Sequence, residues 1–193
     1  MAVPPVSEDE ALLQCYLGGS LDAFETLVAR HGSALLAYIR GMTGSPEEAE
    51  DLFQETWSRV IRHGASFKAG TVRGWIWRIA RNAVIDSLRR RKPEESLDRP
   101  VGEDGAVAGD FLAAGDISVP DRVDATDLGR RIAACVAGLP AAQREVFLMR
   151  TVGDVSFNEI AATLGIPLNT ALGRMHYAVT RLREALADER REP

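Results

Sequence analysis

Residues 156–186 read SFNEIAATLGIPLNTALGRMHYAVTRLREAL, and this stretch decides the fold class. The opening SFNE is a capping box, in which a serine hydroxyl and a glutamate three residues later bind the free amides at a helix start. After a short apolar helix, Gly165-Ile166-Pro167 interrupts the pattern, and a longer helix follows over residues 168–187. A short helix, a tight turn with glycine and a longer helix predict a helix-turn-helix.

The preceding sequence also has helical rather than strand periodicity. Apolar residues recur at helical spacing over residues 22–41, which predicts one helix or two short ones. Ser45-Pro46 followed by Glu48 predicts the start of another helix, since serine caps, proline fits the first position and glutamate completes the box. A further helix contains Trp75 and ends in cations before Pro93. No run alternates with a period of two residues, so we predict an all-α fold.

Composition divides this all-α chain into two small helical domains. Residues 93–127 lose the helical pattern, contain Pro, Gly and Asp, and carry a net charge of −8, which is typical of a flexible linker. We therefore predict an N-terminal extension over residues 1–20, a helical domain over 21–92, a flexible acidic linker over 93–127 with at most a transient turn at 111–114, and a second helical domain over 128–190.

Composition also excludes several classes of protein. The 193 residues include 46% hydrophobic side chains, enough for a packed core, and two cysteines, too few for a disulfide scaffold or a cysteine-rich zinc site. Neither a signal peptide nor a long apolar run is visible, so we expect a cytoplasmic protein without a membrane span. The histidines lie on different elements and no nucleophile motif occurs. We therefore expect no enzyme activity, no metal site and no cofactor.

The net charge of −5 argues against nucleic acid, but the distribution of charge points the other way. Residues 62–92 hold nine cations and a single acid, Asp86, and three aromatic side chains lie among them. Such segregation predicts a local polyanion site, and the alternative is a solvated basic helix face. We expect one face of this helix to bury Trp75, Ile79 and Ala83. The opposite face aligns Arg78, Arg81, Asn82, Asp86 and Arg89.

Two other helix faces carry candidate binding residues. In DLFQETW, Asp51, Gln54 and Glu55 form a polar strip whose alternative interpretation is a solvated face. In the last helix we expect Ala171, Met175, Ala178 and Leu182 to be buried. The opposite face could enter a DNA major groove, the alternative being an ordinary helical hairpin. That face consists of Asn169, Leu172, Gly173, His176, Tyr177 and Thr180.

The order of these motifs resembles a bacterial extracytoplasmic-function sigma factor, one of the small initiation subunits of RNA polymerase. The resemblance lies in DAFETLVARHG, SPEEAEDLFQETW, GWIWRIARNAVIDSLRRRK, LPAAQREVFLMR and the helix-turn-helix. It covers nearly everything except the first twenty or so residues and the linker. It implies a non-catalytic promoter-recognition subunit whose partners are core RNA polymerase (β and β′), promoter DNA and an anti-sigma factor.

The resemblance also implies roles for individual residues. Asp51, Gln54 and Glu55 would dock on the polymerase clamp, whereas Trp77 would belong either to the core or to the strand contact. The −10 element would be held by Lys68, Thr71, Arg73, Arg78, Arg81, Asn82 and Arg89. The −35 element would be contacted by Asn169, Thr170, Leu172, Gly173, Arg174, His176 and Tyr177.

The last helix departs from the family pattern. Leu172, Gly173 and Tyr177 stand where the family commonly has Lys, Ser and Arg, so we expect a weak or unusually apolar −35 contact. This departure favours an alternative, a sigma-like helix-turn-helix regulator that binds a protein partner without loading polymerase. The acidic linker would cross the polymerase cleft as a mimic of nucleic acid, or serve only as a soluble tether.

Overall fold

The computed structural model describes residues 7–68, 70–91 and 127–188, and in these ranges it contains α-helices, one 3-10 turn and no strand. The all-α prediction is confirmed. The predicted linker and its turn at 111–114 lie outside the described residues. The chain divides into two compact units, Met1–Leu88 and Arg89–Pro193. The helices are α1 (Glu8–Leu17), α2 (Leu21–Thr43), α3 (Pro46–His63), α4 (Val72–Arg91), α5 (Asp127–Ala137), α6 (Ala141–Thr151), α7 (Phe157–Leu164) and α8 (Leu168–Asp188), with the 3-10 turn at Gly64–Ser66.

The first unit is built on an antiparallel hairpin of α2 and α3. The segment predicted as one helix or two is one continuous helix, and it ends at Gly44, whose φ of 70° is accessible to glycine at little cost. Ser45 caps α3 as predicted and accepts a hydrogen bond from the backbone N–H of Glu48. Ile61, an apolar residue near the end of α3, is 48% exposed. It lies in the last turn, where no neighbouring helix covers it fully.

Helix α4 packs on this hairpin with a different face from the one predicted. Trp77 is 1% exposed, and its ring lies edge-on to the ring of Tyr38, with 5.2 Å between the two ring centroids. Trp75 and Ile79, which we expected in the core, are half-buried. The buried face is thus rotated relative to the predicted one, and Trp77 rather than Trp75 packs against Tyr38 of α2. Ala83 is buried as expected.

The first twenty residues, predicted only as an N-terminal extension, contain helix α1. Ser7 and Glu10 form a capping box at the start of α1, and Leu13 is buried. Asp9 accepts a hydrogen bond from Arg30 at 2.7 Å and lies 2.9 Å from Nε2 of the buried His31. Helix α1 is therefore an integral part of the first unit.

The second unit contains the predicted helix-turn-helix. Ser156 and Glu159 close a capping box on α7, and Gly165 ends that helix with a φ of 66°. On α8 the buried residues include Ala171, Ala178 and Leu182, as expected. Met175, also expected in the core, is half-buried, and Val179 takes its place. The buried face of α8 therefore includes Val179, and this helix packs against α5 as well as α6 and α7.

Candidate functional site

The sequence predicted a polar strip on α3 formed by Asp51, Gln54 and Glu55, and two of these three residues are exposed. Asp51 and Gln54 are exposed and Glu55 is half-buried, whereas Leu52 and Trp57 on the inner side belong to the core. We call these three residues the docking strip. Their common outward position follows from the helical repeat, which places residues three and four apart on one face.

Glu55 differs from the rest of the docking strip because two arginines already bind it. Arg59 donates from Nε to Glu55 Oε1 at 2.7 Å, and Arg62 donates from a terminal nitrogen to the same oxygen at 3.2 Å. The hydrogen bond from Arg59, followed by the charges of both arginines, lowers the pKa of Glu55 below its ordinary value. The carboxylate is therefore ionised at neutral pH, and a partner must compete for it.

The polar face of α4 presents a line of side chains to solvent, and we call Arg78, Asn82, Asp86 and Arg89 the basic row. All four are exposed, while the predicted Arg81 is half-buried. Because consecutive residues of the row are three or four positions apart, the row runs along the helix axis and can follow a strand backbone.

Two contacts across the helices hold α4 on the hairpin. Trp77 packs against Tyr38 of α2, and the buried Ser87 hydroxyl donates a short hydrogen bond to Glu48 of α3. Arg59 of α3 also lies 3.9 Å from Asp86. These contacts join α4 to α2 and to both ends of α3, so the basic row as far as Asp86 and the docking strip belong to one packed unit.

The loop before α4 combines aromatic and cationic residues. The rings of Phe67 and Trp75 lie 5.6 Å apart, both half-buried, and Lys68 is exposed beside them. The hydroxyl oxygen of Thr71, predicted to contact DNA, accepts a hydrogen bond from the backbone N–H of Gly74 at 3.1 Å. Thr71 therefore caps α4 and orients its first turn.

Arg73 is half-buried in the first turn of α4, close enough to His31 for its charge to contribute to lowering the histidine pKa. Burial is the main cause of that shift. The predicted −10 residues thus fall into two groups. Lys68, Arg78, Asn82 and Arg89 are exposed and form the first group. In the second, Thr71 is exposed but its hydroxyl caps α4, and Arg73 and Arg81 are half-buried.

The face of α8 predicted to contact DNA is only partly exposed. Asn169, Thr170, His176 and Tyr177 are exposed, whereas Leu172, Gly173 and Arg174 are half-buried. The rings of His176 and Tyr177 meet at 5.7 Å. Arg174 is the single cation between residues 168 and 177, so this face offers mainly hydroxyl, amide, imidazole and apolar groups.

Sequence reasoning missed Arg59, which contacts both Glu55 and Asp86. Its spacing from Glu55 is a visible signal, since residues four apart on a helix pair readily. The contact with Asp86 has no such signal because it joins two helices. In the described part of the chain no cluster of three or more His, Cys, Asp or Glu could hold a metal ion. None of the helices described combines the length and apolarity needed to cross a bilayer.

Both units match conserved regions of a known protein family. The family description "Sigma-70 region 2" matches residues 27–94, and "Sigma-70, region 4" matches residues 129–182. The chain is 31% identical over 172 residues to the ECF RNA polymerase sigma factor SigW of Bacillus subtilis, covering 88% of this chain and 92% of that protein. It is 30% identical over 169 residues to the sigma factor SigE of Mycolicibacterium smegmatis, covering 87% of this chain, and spans 63% of that longer relative.

Solved structures show the same fold at lower identity. CnrH, determined in complex with the cytosolic domain of CnrY, matches this chain with a TM-score of 0.67 at 22% identity. The match covers 94% of this chain and 99% of CnrH. The sigma factor RpoE of Bartonella quintana, in complex with the anti-sigma factor NepR, has a TM-score of 0.65 at 23% identity and covers 86% of this chain and 98% of its own. With both conserved regions matched and more than 90% of SigW covered, the chain belongs to the extracytoplasmic-function sigma factors of RNA polymerase.

Proposed function

We propose that the two units of this sigma factor make different contacts when it directs core RNA polymerase to promoters. Residues 21–92, as region 2, would bind polymerase and the −10 element, and residues 128–190, as region 4, would contact the −35 element. The observation that carries this proposal is the placement of the docking strip and the basic row on one packed unit. A protein surface of negative character and a nucleic-acid surface of positive character are thereby held together.

The docking strip supplies two carboxylates and one amide to a basic surface of polymerase. Asp51 is exposed, so its charge is available for steering and for pairing across an interface. Glu55 is available only in exchange for its contacts with Arg59 and Arg62. Asp51 is therefore the stronger contributor to initial encounter, and Glu55 contributes once the interface excludes water.

The basic row grips the displaced promoter strand. Melting requires a base to leave the stack at a cost of a few kcal/mol, which backbone contacts and stacking must offset. Arg78 and Arg89 contribute charge, and Asn82 contributes a donor and an acceptor between them. The half-buried Phe67 and Trp75 at the base of the row provide aromatic surface. Thr71 and Arg73 act mainly by orienting the start of α4.

The recognition helix α8 makes a weak or apolar −35 contact. Leu172 is placed to touch a thymine methyl group, and His176 or Tyr177 to hydrogen-bond a phosphate or base edge. Scrambling the −35 sequence should therefore reduce initiation much less than scrambling the −10 sequence. An equal loss from the two changes would contradict a weak −35 contact.

The decisive experiment is co-elution of the full chain with core polymerase, followed by run-off transcription. Asp51→Lys should weaken co-elution, whereas Glu25→Lys, the same charge change at an exposed position of α2, should not. Arg78→Ala should lower the salt dependence of binding to a single-stranded −10 oligonucleotide by about 0.7 in the log–log slope. Failure of the unmodified chain to bind polymerase would refute this function.

The alternative function is a sigma-like regulator that binds a protein partner without loading polymerase. The cation-poor face of α8 favours it, and the co-elution experiment separates the two. In either case, as in the solved relatives bound to CnrY and NepR, we propose an anti-sigma partner for this chain. We also propose a cytoplasmic location, where polymerase acts.

A further inference from the structure

Arg59 joins the docking strip of α3 to the basic row of α4. Its Nε donates to Glu55 at 2.7 Å, and its NH1 lies 3.9 Å from Asp86 Oδ2. Glu55 belongs to the docking strip and Asp86 to the basic row. A single guanidinium therefore contacts both proposed binding surfaces of the first unit.

Asp86 is the one acid among residues 62–92, and it lies in the basic row one turn after Asn82. A carboxylate in a row that meets phosphates repels them unless a cation neutralises it. The contact of Arg59 with Asp86 is much longer than its contact with Glu55. In the free chain Arg59 therefore binds mainly Glu55, and the negative charge of Asp86 is only weakly compensated.

We propose that Arg59 is a positioning residue that moves from Glu55 to Asp86 when polymerase binds. This inference rests on the proposed function. A basic group of polymerase competes for Glu55, and the released guanidinium closes on Asp86. The basic row then presents less negative charge to the promoter strand, so docking on polymerase raises the affinity of α4 for DNA.

Arg62 provides a matched control. It also binds Glu55, at 3.2 Å, but among the described residues it forms no ion pair with Asp86. Arg59→Ala and Arg62→Ala remove the same charge from the same helix and both relieve Glu55. Only the first removes the connection to the basic row.

The test measures polymerase affinity and promoter opening with full-length variants in the holoenzyme, at saturating polymerase for the opening assay. The affinity of each arginine variant for polymerase should equal that of the unmodified chain or exceed it by up to about fivefold. Arg59→Ala should reduce promoter opening by up to about fivefold, whereas Arg62→Ala should leave it unchanged. Adding Asp86→Asn to Arg59→Ala should restore opening, because the uncompensated acid is gone.

A second measurement uses the free chain. Asp86→Asn alone should bind a single-stranded −10 oligonucleotide more tightly than the unmodified chain, and the gain should shrink in the holoenzyme. Equal opening defects in the two arginine variants, or no rescue by Asp86→Asn, would overturn the transfer of Arg59. Failure of the proposed function would look different, since the unmodified chain itself would not bind polymerase. Tryptophan emission spectra of the variants check that the first unit remains folded.

Discussion

Gly173 lies in the interior of the recognition helix α8, and its replacement by alanine gives a sharp test of the structure. A Cβ added at this position would meet no other atom within 4 Å. Alanine therefore causes no clash and brings only its higher helix propensity. Gly173→Ala should stabilise the second unit, although the position lies on the face that we propose contacts DNA.

The expected gain is about 1 kcal/mol, the difference between alanine and glycine in a helix interior. For a unit of this size that corresponds to an increase of about 4–8 °C in the midpoint of thermal unfolding. Amide exchange in peptides covering α8 should slow by about fivefold if the helix opens together with the unit. The gain arises from backbone entropy and not from new contacts.

The chain contains its own internal control. All three tryptophans, Trp57, Trp75 and Trp77, lie in the first unit, so tryptophan fluorescence reports that unit and should not change. Gly165→Ala provides the opposite sign, because the φ of 66° at that turn disfavours any residue with a Cβ. It should destabilise the second unit by about 1–2 kcal/mol.

Two outcomes would refute the reasoning about Gly173. Unchanged or faster exchange in α8 would mean that the position is not the open helix interior seen here. A shift of the tryptophan transition would mean that the change acts outside the second unit. If the variant is more stable yet initiates less from promoters with an intact −35 element, then the missing Cβ serves close approach to DNA.

Three further changes test the first unit. Burial lowers the pKa of His31 below its ordinary value of about 6.5. The contribution of the neutral imidazole to stability is therefore complete above that pH and is lost as the pH falls below it. The urea concentration at the unfolding midpoint, measured by tryptophan fluorescence, should therefore fall less between about pH 7 and 5 in His31→Gln than in the unmodified chain. Thr71→Ala should cost about 1 kcal/mol by removing the cap of α4, whereas Thr71→Ser should retain most of that stability in urea unfolding. Trp77→Ala should cost about 3–5 kcal/mol and Trp75→Ala clearly less, as measured by far-UV circular dichroism, and equal losses would contradict the packing of α4.

Much of the architecture follows from local sequence patterns. The N-cap at Ser45, the capping box at Ser156, the turn at Gly165 and the outward position of the docking strip depend on residues within one or two helical turns. Such patterns act through backbone hydrogen bonds and helical spacing, which are the same whatever packs against the helix. The helix-turn-helix was therefore predictable from the sequence.

The rotation of α4 was not predictable, because both Trp75 and Trp77 satisfy an apolar helical pattern. Tyr38 decides between them by providing an edge-on partner for Trp77, and Tyr38 lies on another helix far away in the sequence. The integration of α1 has the same origin, since Asp9 acquires its role only beside Arg30 and His31.

The sequence by itself determined most of the helices, the caps at Ser45 and Ser156, the two-unit division of the motifs and the segregation of charge, because each depends on neighbours along the chain. Only the tertiary structure decided which side of α4 is buried, that Arg73 is partly covered, and that Arg59 lies between Glu55 and Asp86. Those features depend on side chains from different helices that meet in space, and helical periodicity carries no information about which helices meet or at what rotation.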